Sequence, residues 1–304
     1  MNKQCTNKSL HARAAVTVTS ITVFCGALGC AGSYLSVADD PHAEALSGPG
    51  AEVPPEGNLP EQIVDKGNFV AKYLPARSEN LLEVAKAIRE SELLTDVLPD
   101  LNANFALERD LPIVFRECGQ ANAHYDHRER LLTICYEFVR YLAEGFTRVY
   151  DKDEEADEAL ENAITFFLFH ELGHALIDID KLPATGGAEA AADEFAAFVL
   201  MSLGENGKLI ALHAAVAFSR IVGEGDSLDN STLGDEHPLG RQRAFNLICL
   251  VYGSAPGATG VRAAARAGGM PETRLDRCAE DYKRMNTSWL ALLQSHLKQA
   301  RGVR

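Results

Sequence analysis

Two histidines and a glutamate interrupt an apolar run at residues 167–180, FLFHELGHALIDID. In a helix, side chains four positions apart lie on one face, with Cβ atoms about 5 to 6 Å apart. His170 and His174 can therefore point ring nitrogens at one place, with Glu171 beside them. Burying three polar side chains without partners is costly. One answer is a helix whose polar side chains share a metal ion. The alternative is a structural domain in which HELGH is only part of a core helix.

The HExxH pattern is typical of zinc-dependent hydrolysis, in which a water occupies an open position and the glutamate takes its proton. Such a site needs a third protein ligand. The next predicted helix, AEAAADEFAAFVLMSL, offers Glu189, Asp193 and Glu194. Glu189 and Asp193 share a face, whereas Glu194 is turned about 140° from Glu189. We predict that Glu189 is the third ligand and that Asp193 orients a ligating imidazole, with Glu194 as the alternative ligand.

HELGH followed by ExxxD resembles the gluzincin metallopeptidases, of which thermolysin is a familiar member. In that family the two histidines and the first acid of ExxxD bind zinc, and the aspartate supports them. The glutamate of HExxH is the base. The resemblance implies that His170, His174 and Glu189 bind Zn²⁺, that Glu171 is the base, and that Asp193 supports the ligands.

A longer part of the chain resembles a bacterial family of metallopeptidases of unknown function. ECGQANAHYD, TICYEF, FHELGHALIDIDKLPATGGAEAAADEFA and DEHPLGRQRAFNLICLVYGS carry this resemblance, over most of residues 110–255. The HP…R spacing in EHPLGRQR is also similar to that of the membrane-bound prenyl-protein peptidases. There a histidine and an arginine complete the site, which implies that His237 donates to the oxyanion, assisted by Arg241 or Arg243. Alternatively, His237 only caps a helix that begins at Pro238.

The first 38 residues have the pattern of an export segment. Lys3, Lys8 and Arg13 precede the uncharged stretch AAVTVTSITVFCGALGCAGSYLSVA. Cleavage after Ala38, lipid attachment at Cys30 and an uncleaved anchor all fit this stretch. We therefore predict an exported bacterial protein that is periplasmic, secreted or a cell-envelope lipoprotein, in which any attachment to a membrane is through this N-terminal segment alone.

Cysteine usage agrees with export. Three of the seven cysteines lie in the leader, and Cys118, Cys135, Cys249 and Cys278 remain. An even number in an exported chain favours two disulfides, and the order suggests Cys118 with Cys135 and Cys249 with Cys278. Four cysteines allow three pairings, and buried free thiols are the alternative.

Residues 39–60 are rich in proline, glycine and acids without an apolar period, which predicts a flexible linker. One domain then covers residues 61–304. We expect an α+β, zincin-like fold with a small β-sheet, the HExxH active-site helix and a helical C-terminal half. Helices are predicted to end near Pro99, LPIVFREC and RLLTICYEFV to pair as a hairpin, and DKDEEADEALENAITFFLFHELGHALID to form one long helix.

A formal net charge of −14 argues against nucleic-acid binding. We predict a zinc metallopeptidase for peptide or protein substrates, in which zinc lowers the pKa of a water toward about 7 and Glu171 accepts its proton. The alternative is an exported zinc-binding or interaction protein that keeps the peptidase scaffold without turnover. Glu171 favours the enzyme, because a non-catalytic site needs no base.

Overall fold

The structure, a computed structural model, describes residues 63–91, 93–183, 187–222 and 239–298. Within these residues the domain is α+β, with a small mixed sheet and a helical C-terminal half, as predicted for a zincin-like fold. The predicted leader, linker and cap at His237 and Pro238 lie outside the described residues, as do the processing positions Ala38 and Cys30.

Four strands form one sheet in the order β1-β2-β4-β3. β1 (Phe69–Tyr73), β2 (Leu111–Arg116) and β4 (Leu131–Cys135) run parallel, and β3 (Ala123–Asp126) pairs antiparallel with β4. The sheet therefore presents β3 as one of its edges.

The predicted hairpin between LPIVFREC and RLLTICYEFV is wrong, because their strands, β2 and β4, pair in parallel. The connecting segment is not only a loop. It contains β3, and a short turn then returns the chain to β4. The Asp126 carboxylate accepts the backbone N–H groups of Arg128 and Glu129 in this turn, at 2.8 and 3.0 Å. Since β3 takes the antiparallel position beside β4, β2 pairs on the other side.

The helices pack on the sheet and on one another. The expected end near Pro99 is wrong, because α2 continues past this residue to Asn104. Leu101 and Phe105 beyond the proline are almost fully buried, so their packing outweighs the backbone hydrogen bond that Pro99 cannot make. The two short helices α8 (Thr259–Ala267) and α9 (Glu272–Leu275) were not predicted. In chain order the helices are α1 (Glu79–Glu90), α2 (Leu93–Asn104), α3 (Tyr136–Val149), α4 (Asp153–Ile179), α5 (Ala188–Ser202), α6 (Glu205–Ala217), a π-helical turn (Phe218–Val222), α7 (Gly240–Ser254), α8 (Thr259–Ala267), α9 (Glu272–Leu275) and α10 (Cys278–Leu292).

The long helix α4 forms as predicted and runs through the core. Its first turn holds Asp153, Glu154 and Glu155, whose negative charge favours the positive end of the helix dipole. Its second half is buried on nearly all sides, since α3, α5, α6 and the sheet pack around it. The HELGH turn therefore lies in the interior, where a polar side chain has to find a partner.

Gly173 sets the distance between α4 and α5. A Cβ atom at this position would lie 3.0 Å from the Ala192 Cα atom and 3.2 Å from the Phe195 side chain. The glycine lets the two helices approach closely, and the sequence of α5 then brings Glu189 and Asp193 opposite the histidines.

Two disulfides have the pairing that the order of the cysteines suggested. Cys118–Cys135 joins the ends of the parallel strands β2 and β4, and Cys249–Cys278 joins α7 to the start of α10. Disulfides are typical of proteins outside the cytoplasm. None of the helices in the described ranges combines the length and the apolar character needed to cross a membrane.

Candidate metal centre

Three potential ligand side chains converge where α4 meets α5. The Nε2 atoms of His170 and His174 lie 3.2 Å apart. One carboxylate oxygen of Glu189 lies 3.3 Å from His170 Nε2, and the other lies 3.1 Å from His174 Nε2. The structure thus brings together the two histidines and the glutamate that were predicted as ligands.

This arrangement fits a zinc ion. Tetrahedral coordination with Zn–N distances of about 2.0 to 2.1 Å separates two ligand nitrogens by about 3.3 Å. The two ring nitrogens are already at nearly that separation, and two histidines with one carboxylate form a ligand set of catalytic zinc sites. A second group of potential ligands, Cys118, Cys135 and Glu137, is less suitable, because its two sulfurs are bonded to each other.

Glu194, the alternative third ligand, points elsewhere. It is exposed and lines a separate cavity of about 770 Å³ between α5, α7 and α10. Of the two glutamates, only Glu189 reaches the histidines.

Asp193, the predicted support of a ligating histidine, lies behind the histidines. Its carboxylate is buried and accepts a hydrogen bond from His170 Nδ1 at 2.9 Å. Arg243 donates to the same carboxylate twice, from Nε to Oδ2 at 2.8 Å and from Nη2 to Oδ1 at 2.7 Å. The guanidinium also lies 4.0 Å from the centre of the Phe218 ring. Arg243 was predicted to assist at the oxyanion, but in the structure it is bound to Asp193.

The HP…R resemblance also implied roles for Arg241 and His237, and the described part of the chain places neither of them at the site. Arg241 is exposed and does not line the cleft. His237 lies outside the described residues. Their roles at the oxyanion stay predictions.

Burial and ion pairing shift the pKa values of the site in different directions. Burial lowers the pKa of His170, but the hydrogen bonds to Asp193 and Glu189 outweigh it and raise the pKa to about 9. Burial raises the pKa of Glu189 and Asp193, but the hydrogen bonds to the histidines, together with Arg243 at Asp193, hold both below the usual range. Burial raises the pKa of Glu171 by more than the nearby charges of His170 and His174 lower it. Of the carboxylates of Glu171, Glu189 and Asp193, that of Glu171 is therefore the most ready to accept a proton.

An open cleft of about 870 Å³ leads to these residues. The edge strand β3 forms one side, and the Tyr125 hydroxyl donates to Asp178 at 3.0 Å. Phe138, Tyr141 and Phe167 contribute an aromatic wall. Sequence reasoning missed Phe167 and Asp178, although their positions, three before His170 and four after His174, place them on the same face of α4.

The model of one protein family, DUF4344, described as "Putative metallopeptidase", matches residues 73–293. The chain belongs to this family. The match confirms the resemblance seen within residues 110–255 and extends it over nearly all of the described domain. No curated protein and no solved structure matches the chain. Membership of the family supports a hydrolase that uses a metal ion.

Proposed function

We propose that this protein is an exported zinc peptidase in which Glu171 is the general base. The observation that carries the proposal is the convergence of His170, His174 and Glu189 beside the buried Glu171, at the base of an open cleft. Bound by these three side chains, zinc would lower the pKa of a water and polarise the substrate carbonyl.

Glu171 is placed to move protons in this reaction. Its side chain is buried, and its pKa is raised by that burial, so it competes well for the proton of an attacking water. The same carboxyl then returns the proton to the leaving amine. Its position next to His170 keeps it in the turn of α4 that faces the cleft.

The cleft suits an extended peptide. β3 is an edge strand of the sheet and lines the cleft, so a peptide could pair alongside it. The aromatic wall formed by Phe138, Tyr141 and Phe167 would accept an apolar side chain. The two disulfides and the N-terminal leader pattern support substrates outside the cytoplasm.

The test is the substitution Glu171→Gln, which keeps the size of the side chain but removes its ability to take a proton. Peptides cleaved by the wild-type protein are first found by screening a library. Hydrolysis by the variant should fall about 10² to 10⁴-fold while elemental analysis finds the same zinc content. Glu161→Gln is the matched control, because Glu161 is a partly buried acid on the same helix whose pKa burial also raises, outside the cleft.

Equal cleavage by Glu171→Gln and the wild-type protein would refute the general-base mechanism. Zinc binding without cleavage of any peptide in the library would favour the non-catalytic zinc-binding protein instead.

A further inference from the structure

We infer that Arg243 is a positioning residue of the metal centre, acting through Asp193 and His170. The inference rests on the proposed zinc site. It is carried by a chain of contacts that crosses three helices: Arg243 on α7, Asp193 on α5 and His170 on α4.

The two hydrogen bonds from Arg243 fix the Asp193 carboxylate in one plane. A guanidinium that binds both oxygens of a carboxylate holds its orientation, which a single donor cannot do. Asp193 Oδ1 accepts from Arg243 Nη2 and from His170 Nδ1, so the arginine sets the position of the oxygen that the imidazole contacts. The ring of His170 then presents Nε2, its other nitrogen, to His174 and Glu189.

Arg243 is itself held from both sides. Its side chain is buried, the Phe218 ring of the π-helical turn lies against the guanidinium, and Nη1 lies 3.8 Å from a Glu189 oxygen. It therefore supplies a positive charge next to two buried carboxylates at the site. A buried ion pair is often replaceable by apolar residues without loss of stability. Stability is thus a poor explanation for this arginine, and orientation of the ligands explains it better.

The experiment measures zinc affinity by competition with a chelator, in the full chain, for wild-type protein, Arg243→Lys, Asp193→Asn and the double variant. Lysine keeps the charge but cannot hold both oxygens in one plane. Each single variant should bind zinc about 10 to 100-fold more weakly, as expected when a ligand loses its supporting partner. The double variant should be no weaker than the weaker single variant, because both changes break the same chain of contacts.

Arg274→Lys is the matched control. Arg274 also forms an ion pair with an aspartate, Asp281, at 2.8 Å, and it donates to Asn246, so its recorded partners are not groups of the metal centre. Its zinc affinity should equal that of the wild-type protein. The visible absorption spectrum of the Co²⁺-substituted protein adds a readout that a purely structural role would not move: Arg243→Lys and Asp193→Asn should shift the bands alike.

Wild-type zinc affinity in Arg243→Lys, or additive losses in the double variant, would overturn the inference while leaving the proposed function intact. Zinc binding with the expected coupling but without peptide cleavage would refute the proposed function alone. A wild-type protein that binds no zinc would refute both. If Arg243→Lys does not fold, the test is the rate of solvent exchange of the Arg243 Nε–H in the wild-type protein. The buried hydrogen bond to Asp193 predicts slow exchange, and fast exchange would contradict the inference.

Discussion

Two buried histidine–aspartate pairs lie at different levels of helix α4, and they differ in their partners. At the metal centre, His170 Nδ1 lies 2.9 Å from Asp193, whose two oxygens are also bound by Arg243. Beyond the C-terminal end of the helix, His296 Nε2 lies 3.4 Å from Asp180. There His296 Nδ1 and Asp180 Oδ2 have no hydrogen-bond partner within the described part of the chain.

The pKa values respond in opposite ways. At the metal centre, the hydrogen bonds to Asp193 and Glu189 overcome burial, so the pKa of His170 rises. The pKa of Asp193 falls, because His170 and Arg243 both stabilise its charged form. At the other pair, burial raises the pKa of Asp180 to about 6 and lowers the pKa of His296. Burial therefore favours the neutral forms unless additional charges are supplied. At the metal centre, the protein supplies these additional charges.

Loss of the metal is the largest effect that we expect, and it tests whether the first pair belongs to a metal site. Glu189→Ala removes a ligand that contacts both histidines, so elemental analysis should find close to no zinc in the purified variant. Glu194→Ala should keep a full complement, because Glu194 faces the other cavity. Retention of zinc by Glu189→Ala together with its loss from Glu194→Ala would reverse our assignment.

Asp193→Asn should destabilise the metal-free protein, because the buried charge of Arg243 loses the carboxylate that binds it at two oxygens and keeps only Glu189, at 3.8 Å, as a charged neighbour among the described contacts. Removing one member of a buried ion pair typically costs about 3 to 5 kcal/mol. The free energy of unfolding from urea titrations at pH 7 measures the change. An unchanged midpoint would mean that the charges at the metal centre are not coupled as the distances indicate.

Asp180→Asn should act in the opposite direction and increase stability at pH 7 by about 1 to 2 kcal/mol. The folded protein binds the Asp180 proton more tightly than the unfolded chain does, since its pKa rises from 3.8 to about 6. Stability from this group is present at low pH and is lost as the pH rises through about 6. Urea titrations between pH 4 and 7 should therefore show a flatter profile for the variant, and a destabilised variant at pH 7 would contradict the comparison.

The local parts of the site could be read from spacing along the chain. A spacing of four positions places the rings of His170 and His174 on one face of α4, and the same spacing places Glu189 and Asp193 on one face of α5. The order of the four cysteines suggested the disulfide pairing that the structure has, although it left three pairings open. The spacings of the histidines and of the acids depend on the geometry of one helix, so no knowledge of the packing was needed for them.

Other features depended on how distant segments meet. A helical period does not show how two helices cross, so the sequence left Glu194 as an alternative to Glu189. The close contact of α4 with α5 at Gly173 determines that Glu189 faces the histidines and Glu194 faces the other cavity. The parallel pairing of β2 with β4 depended on β3 taking the antiparallel place beside β4. The partner of Arg243 is fifty residues away in the chain, and nothing in the local pattern around α7 points to Asp193. Periodicity defines the faces of each element, whereas the contacts between faces arise from packing of the whole core.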